Sequence, residues 1–280
     1  MLTTITQLRQ FAQHQHQAGK RIGLVPTMGA LHAGHLGLVK AANEQCDATL
    51  VSIFVNPAQF APTEDFHEYP RPLENDLQLL QSVGVPEVFV PSVEEMYPAG
   101  FDASVHIGGV SQPFEGVIRP THFDGVATVV LKLFLATQAD VAFFGQKDYQ
   151  QVCVIRKMVA DLNIPIDLMM CPIVREPDGL AMSSRNRYLS PKERQRAVVL
   201  SRCLKRAEQM IKRDGVRQAA TICQTITEMI QSSGDWHIDY ISIADPATLR
   251  ELETVESSAV ILLAAKLGTT RLIDNVLVER

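Results

Sequence analysis

Along the first 175 residues, short apolar runs alternate with longer stretches in which apolar residues recur every three or four positions. RIGLV (21–25), ATLVSIFV (48–55), EVFVPS (87–92), DVAFFG (140–145) and IDLMMCPIV (166–174) read as strands, and ATLVSIFV, apolar nearly throughout and rich in β-branched residues, as a buried one. Between them, HLGLVKAANEQC, LENDLQLLQSVG, GVATVVLKLFLATQA and DYQQVCVIRKMVADLN carry the helical period, the second closed by Gly84. Strands alternating with helices imply a parallel sheet wound by right-handed crossovers. The expected architecture over residues 1–175 is therefore a Rossmann-type doubly wound α/β domain.

After residue 175 the pattern changes. PKERQRAVVLSRCLKRAEQMIKR (191–213) and VRQAATICQTITEMIQSSG (216–234) predict two long amphipathic helices, the first opened by the cap Ser190-Pro191. WHIDYISIAD, AVILLAAKLG and TRLIDNVLVE then predict strands, giving a smaller α+β domain over 176–280 that is expected to act as a lid.

Composition narrows the function classes. The chain of 280 residues carries 26 basic and 31 acidic side chains, a net charge of −5, which argues against nucleic acid as the main partner. Five scattered cysteines, never spaced CxxC, fit neither a disulfide framework nor a zinc knuckle and predict a reducing compartment. MLTTITQLRQF lacks the apolar core of a secretory signal, and AVILLAA is too short to cross a bilayer. These features predict a cytoplasmic chain with no membrane partner.

The candidate chemistry sits at the first strand–helix junction. PTMGALHAGHLGLV (26–39) holds two histidines and three glycines where βαβ folds bind phosphates. It matches neither GxGxxG nor GxxxxGK[ST]. What it offers is His32-Ala33-Gly34-His35, an HxGH tetrapeptide. Residues three apart share a helix face, so both imidazoles would meet one ligand beside the amides and positive dipole end of the helix. Gly34 would let that ligand approach the backbone closely.

HxGH at this position resembles the nucleotidyltransferase superfamily, which includes the class I aminoacyl-tRNA synthetases. The longer string PTMGALHAGH, followed in order by FVNPAQF, FGQKDYQQ and GLAMSSRNRYLS, resembles the pantothenate synthetase family more narrowly, throughout the first domain and more loosely in the second. The resemblance implies a ligase that condenses pantoate with β-alanine and splits ATP to AMP and pyrophosphate through a bound pantoyl adenylate. A carboxylate attacking an α-phosphate brings two anions together, so such a site needs fixed donors and cations aimed at the developing charge.

Position by position, the resemblance implies that Met28, Gly29, Ala30, Leu31, His32, Ala33, Gly34 and His35 hold ATP, with His35 as proton donor and His32 as a second phosphate contact. Gly145, Gln146, Lys147 and Asp148 would form the next nucleotide segment. Lys147 would neutralise phosphate charge, and Asp148 would bind ribose or orient a neighbour. GQKD stands where many members have GEKD. Met182, Ser183, Ser184 and Arg185 correspond to the mobile phosphate loop, and Val174 would touch adenine through its backbone. Catalysis would fall to His32, His35, Lys147 and Arg185. Gln59 and Gln151 match the pantoate-binding glutamines, Gln59 also approaching β-alanine. Asn56, Tyr69, Arg119 and His122 lie in blocks that resemble the substrate-side wall. The family pattern further implies a homodimer, and Mg²⁺ that arrives with ATP rather than on protein ligands.

Other readings stay open at this level: a nucleotidyltransferase whose adenylate is the final product, and a nucleotide- or RNA-binding module. The histidine pair could be a helix cap, Lys147–Asp148 a solvated pair, and His14 and His16 a solvated helix face. His67, His106 and His237 have no ligand-spaced partners.

Overall fold

Five strands, β1 (Ile22–Thr27), β2 (Ala48–Ile53), β3 (Glu87–Phe89), β4 (Val141–Gly145) and β5 (Asp167–Cys171), form one parallel sheet in the order β3-β2-β1-β4-β5. The computed structural model describes residues 1–62, 64–85 and 87–279; Thr63, in the proline-rich loop, and Pro86 and Arg280 lie outside the described residues. The chain divides into two compact units, Met1–Gln146 with Gln150–Pro172, and Lys147–Tyr149 with Ile173–Arg280.

In the first unit the helices are α1 (Ile5–Gln17), α2 (Ala33–Gln45), α3 (Leu73–Ser82), the short α4 (Val93–Met96) and α5 (Glu115–Ile118), α6 (His122–Thr137) and α7 (Tyr149–Asp161). α1 opens with a capping box between Thr4 and Gln7. One core layer lies where Val25, Val51, Val88, Val141 and Phe143 of the sheet meet Leu38, Val39 and Leu80 of the helices. Each such side chain withdrawn from water contributes roughly 1.5–3 kcal/mol before entropy is counted.

The strand order reverses between β1 and β4, which makes their carboxyl ends the switch point where ligands bind in such sheets. β1 runs past the expected RIGLV to Thr27. It pairs with β4 only at Gly23 and Leu24, so Pro26, which has no N–H to donate, lies beyond the last pairing on that side. β5, expected to reach residue 174, stops at Cys171 because Pro172 cannot extend the ladder, and Val174 therefore lies past the strand.

The second unit holds α8 (Pro191–Ala197), α9 (Val199–Lys212), α10 (Ala219–Gln231) and an antiparallel sheet of β6 (Trp236–Ala244), β7 (Ala259–Leu267) and β8 (Thr270–Val278). The single helix expected over 191–213 is two. It breaks at Val198, where adjacent β-branched residues lower helix propensity and the Ser201 hydroxyl takes the Val198 carbonyl at 3.0 Å. Ser190 and Glu193 form the expected cap as a full capping box. Leu200, Leu204, Ala207 and Ile211 of α9 pack with Ile222, Ile226 and Ile230 of α10 against Ile261, Leu263 and Ala265 of β7. Among the described residues no helix is long and apolar enough to cross a membrane.

Candidate active site

The turn after β1 is built by two consecutive left-handed residues. Gly29 has φ +80° and Ala30 has φ +50°, a conformation an alanine adopts only under constraint. The constraint is Asp76, on α3. Its carboxylate, 1 % exposed, accepts the N–H groups of Ala30 and Leu31, each at 2.8 Å. A Cβ at position 29 would sit 3.0 Å from Ile53 and 3.1 Å from the Asp76 carboxylate, so glycine is demanded there on steric as well as conformational grounds. Thr27 closes the other side, accepting the Gly29 N–H at 3.2 Å while its hydroxyl donates to the Ser52 carbonyl at 2.8 Å.

The chain then enters α2 through His32. Its backbone is extended and its Nδ1 accepts the Gly34 N–H at 3.1 Å, so the imidazole caps the helix. An Nδ1 that accepts a hydrogen bond carries no proton, which puts the hydrogen of neutral His32 on Nε2. The His35 ring lies one turn on, its centroid 4.1 Å from that of His32. The pair thus crowns the N-terminus of a 13-residue helix at the switch point, a place suited to an anion.

Gln59 meets this turn from the loop after β2. Its Nε2 donates to the Met28 sulfur at 3.0 Å, and its Oε1 accepts from Asn56 Nδ2 at 3.1 Å, which fixes the orientation of the amide. Asn56, 1 % exposed, also donates to the Gly125 carbonyl at 3.1 Å and accepts from Ala58 N–H and the Tyr97 hydroxyl at 3.2 and 2.7 Å. Burial pushes the Tyr97 phenol up to about 12.

The Gln59 carbonyl is gripped in turn by His122 Nδ1 at 2.9 Å and by Arg119 at 3.3 Å. Arg119 pairs with Glu64 at 2.5 and 2.9 Å and reaches His122 Nε2 at 3.2 Å. The network assigns the His122 proton to Nδ1, leaving Nε2 to accept from the guanidinium. Burial, aided by the Arg119 charge, lowers the His122 imidazole to about 4, so the ring is neutral at pH 7. α6 comes so close to this loop that a Cβ on Gly125 would lie 2.2 Å from the Ala58 carbonyl oxygen. Tyr69, 5 % exposed, packs edge-on to Phe60 in the same loop. Gln151, half-buried, stands on the first turn of α7. Its neighbour Gln150 is fully buried and holds the 110–115 segment through Glu115 N–H and the Val110 and Pro113 carbonyls.

β4 delivers Gly145 and Gln146 beside the end of β1, and a Cβ on Gly145 would meet nothing within 4 Å. In the second unit, Lys147 Nζ lies 3.9 Å from Asp148. Val174 and Met182 are joined by a backbone hydrogen bond of 3.0 Å that closes a short hairpin. Ser183 caps the turn Ser184–Tyr188 by accepting the Arg185 N–H at 3.3 Å, which leaves its own hydroxyl hydrogen to donate. His14 and His16 lie in the last turn of α1, where His16 faces Asp140 at 3.5 Å, and His106 pairs with Asp124 at 3.0 Å.

A family model described as pantoate-beta-alanine ligase matches residues 1–277. The chain belongs to that family. The pantothenate synthetase of Acetivibrio thermocellus is 50% identical over 279 residues, covering 100% of this chain and 99% of the relative. That of a Thermoanaerobacter species is 51% identical over 273 residues, covering 98% and 96%. Among solved structures, pantothenate synthetase from Thermus thermophilus superposes with a TM-score of 0.92 at 44% identity, covering 98% of each chain. Pantoate-beta-alanine ligase from Francisella tularensis, complexed with beta-gamma ATP and beta-alanine, gives 0.81 at 35% identity over 99% and 97%. The parallel sheet with its smaller antiparallel companion is the architecture of these ligases.

Within this ligase-family frame, the sequence motifs missed Asp76, the residue that shapes the turn. A signal existed: Asp76 is three residues after Leu73 and four before Leu80, so it is an acid on the apolar stripe of its helix. Glu64, which completes the Arg119 network, and Arg175, Asp274 and Asn275 of the second unit also went unmarked.

Proposed function

We propose that this chain is an ATP-dependent ligase that joins pantoate to β-alanine through a pantoyl adenylate. In the first step the pantoate carboxylate oxygen bonds to the α-phosphorus as the bond to pyrophosphate breaks. In the second, the β-alanine amine attacks the acyl carbon, loses a proton, and AMP departs with the electron pair of the broken C–O bond. The observation that carries the reading is the Asp76-pinned HxGH turn at the switch point, beside a glutamine whose amide orientation is set by Asn56. A family member complexed with beta-gamma ATP and beta-alanine supports the same substrates here.

In this reading residues 28–35 bind the nucleotide, with His35 hydrogen-bonding the phosphates as negative charge moves to the leaving pyrophosphate. The open space over Gly145 admits the nucleotide against the backbone. Lys147 and Arg185 neutralise phosphate charge, Ser183 and Ser184 donate hydroxyls, Asp148 meets the ribose, and Val174 meets the adenine. Gln59 and Gln151 bind pantoate. Among the described residues no trio of His, Cys, Asp or Glu is grouped for a metal, so Mg²⁺ would be held by the phosphates and water. A cytoplasmic homodimer is the state the family pattern favours, to be checked by light scattering.

The test is partial-reaction analysis. Pantoate-dependent exchange of pyrophosphate into ATP, with AMP release that requires β-alanine, is the expected result. Pyrophosphate release without any β-alanine-dependent AMP would replace the ligase with an enzyme whose adenylate is its product.

A further inference from the structure

β8 carries two consecutive polar residues that are almost wholly buried, Asp274 (3 % exposed) and Asn275 (2 %). Successive strand residues face opposite sides, so the pair serves two different segments. Asp274 accepts a two-pronged contact from Arg175, with NH1 to Oδ2 at 2.7 Å and NH2 to Oδ1 at 3.0 Å. The same guanidinium donates to the Gly179 carbonyl at 3.1 Å, so it grips the 174–182 hairpin whose second arm runs into Met182 and Ser183. On the other side Asn275 Nδ2 donates to the Lys147 carbonyl at 2.9 Å. A buried ion pair is a weak source of net stability, and a buried amide costs free energy unless bonded. Here each polar group is spent on a segment that the ligase reading assigns to the nucleotide.

We propose that Asp274 and Asn275 are positioning residues that hold Lys147 and the Val174–Met182 hairpin in fixed register for ATP. The assignment rests on the ligase reading, and it adds a support that no substrate touches. It makes the β8 dipeptide a determinant of ATP use and leaves pantoate and β-alanine recognition to the first unit.

Steady-state kinetics and pyrophosphate exchange on the full chain test it. Asn275→Ala is expected to raise the KM for ATP about tenfold, the weight of one buried hydrogen bond, with the KM values for pantoate and β-alanine within about twofold of wild type. If Asn275 acts through Lys147, the double variant Lys147→Ala/Asn275→Ala matches Lys147→Ala alone in its KM for ATP. Parallel changes in all three KM values, or effects that multiply in the double variant, would overturn the assignment. Should Asn275→Ala not fold, Asp274→Asn keeps the side-chain shape while removing the charge beside Arg175. It is expected to raise the KM for ATP with the KM values for pantoate and β-alanine within about twofold of wild type, and an unchanged KM for ATP refutes the proposal. Absence of pantoate-dependent exchange in the wild type would instead overturn the ligase reading beneath it.

Discussion

The imidazole rings of His32 and His35 lie with their centroids 4.1 Å apart and their planes tilted by 31°. Because His32 Nδ1 is committed to the Gly34 N–H, the cap fixes the orientation and tautomer of one ring, and that ring buttresses the other. The helix cap and the candidate phosphate contact are therefore one device, and they can be separated by mutation.

His32→Asn is expected to keep the cap, since asparagine is among the preferred N-cap residues, and to leave stability within about 0.5 kcal/mol of wild type. Its adenylation rate should still fall. His32→Ala should lose the rate and about 1 kcal/mol of stability together. His35→Ala should cut adenylation roughly 10²–10⁴-fold, about 3–5 kcal/mol of barrier, with the fold intact. Single-turnover adenylation alongside urea unfolding separates these outcomes, and a near-normal rate for His35→Ala would remove it from the catalytic set.

Asp76→Asn replaces an acceptor of two backbone N–H groups by an amide that can satisfy only one of them without a clash of donors. The expected cost is about 2–3 kcal/mol, the scale of hydrogen bonds to a buried charge. Ala30 would be released from its left-handed conformation. Urea unfolding measures the first effect and loss of nucleotide binding by calorimetry the second; a variant as stable as wild type would show that the carboxylate is not the clamp.

His122 makes stability depend on pH. Its folded-state value of about 4 lies below the ordinary 6.5, so its contribution is full above about pH 6.5 and is lost as the pH falls toward 4. The gap corresponds to at most about 3 kcal/mol. Unfolding free energies measured from pH 7 to 4.5 should decline more steeply for wild type than for His122→Gln, and equal slopes would place the titration elsewhere.

Two glycines should behave oppositely. Gly125→Ala would drive a methyl group to 2.2 Å from the Ala58 carbonyl oxygen and is expected to cost about 2–3 kcal/mol while raising the KM for pantoate through Gln59. Gly145→Ala meets open space within the protein, so stability should hold or rise by up to about 1 kcal/mol. If the nucleotide occupies that space, the KM for ATP should rise, and an unchanged value would place ATP elsewhere.

Much of the architecture was legible along the chain because the parallel strands are short apolar runs, β2 almost wholly buried, and their crossover helices carry a 3.6-residue period. The ends of elements were less so. β5 stops at Pro172 for want of a donor, and the 191–213 helix breaks at Val198, where a local hydroxyl competes for a backbone carbonyl. The candidate site was legible only where a motif is contiguous. His32 and His35 are three residues apart, whereas Asp76 reaches Ala30 across 46 positions and Arg119 reaches Glu64 across 55.

The order of strands and helices, the HxGH turn and membership of the pantoate–β-alanine ligase family follow from the amino-acid sequence alone, because local periodicity and contiguous motifs are properties of neighbours. Which polar side chains are buried, and what each one holds, was decided by tertiary structure. Asp76 pinning the Ala30 turn, His122 kept neutral under Gln59, and Asn275 gripping Lys147 all depend on desolvation and on hydrogen bonds between residues far apart in the chain, and neither exists until each unit has folded.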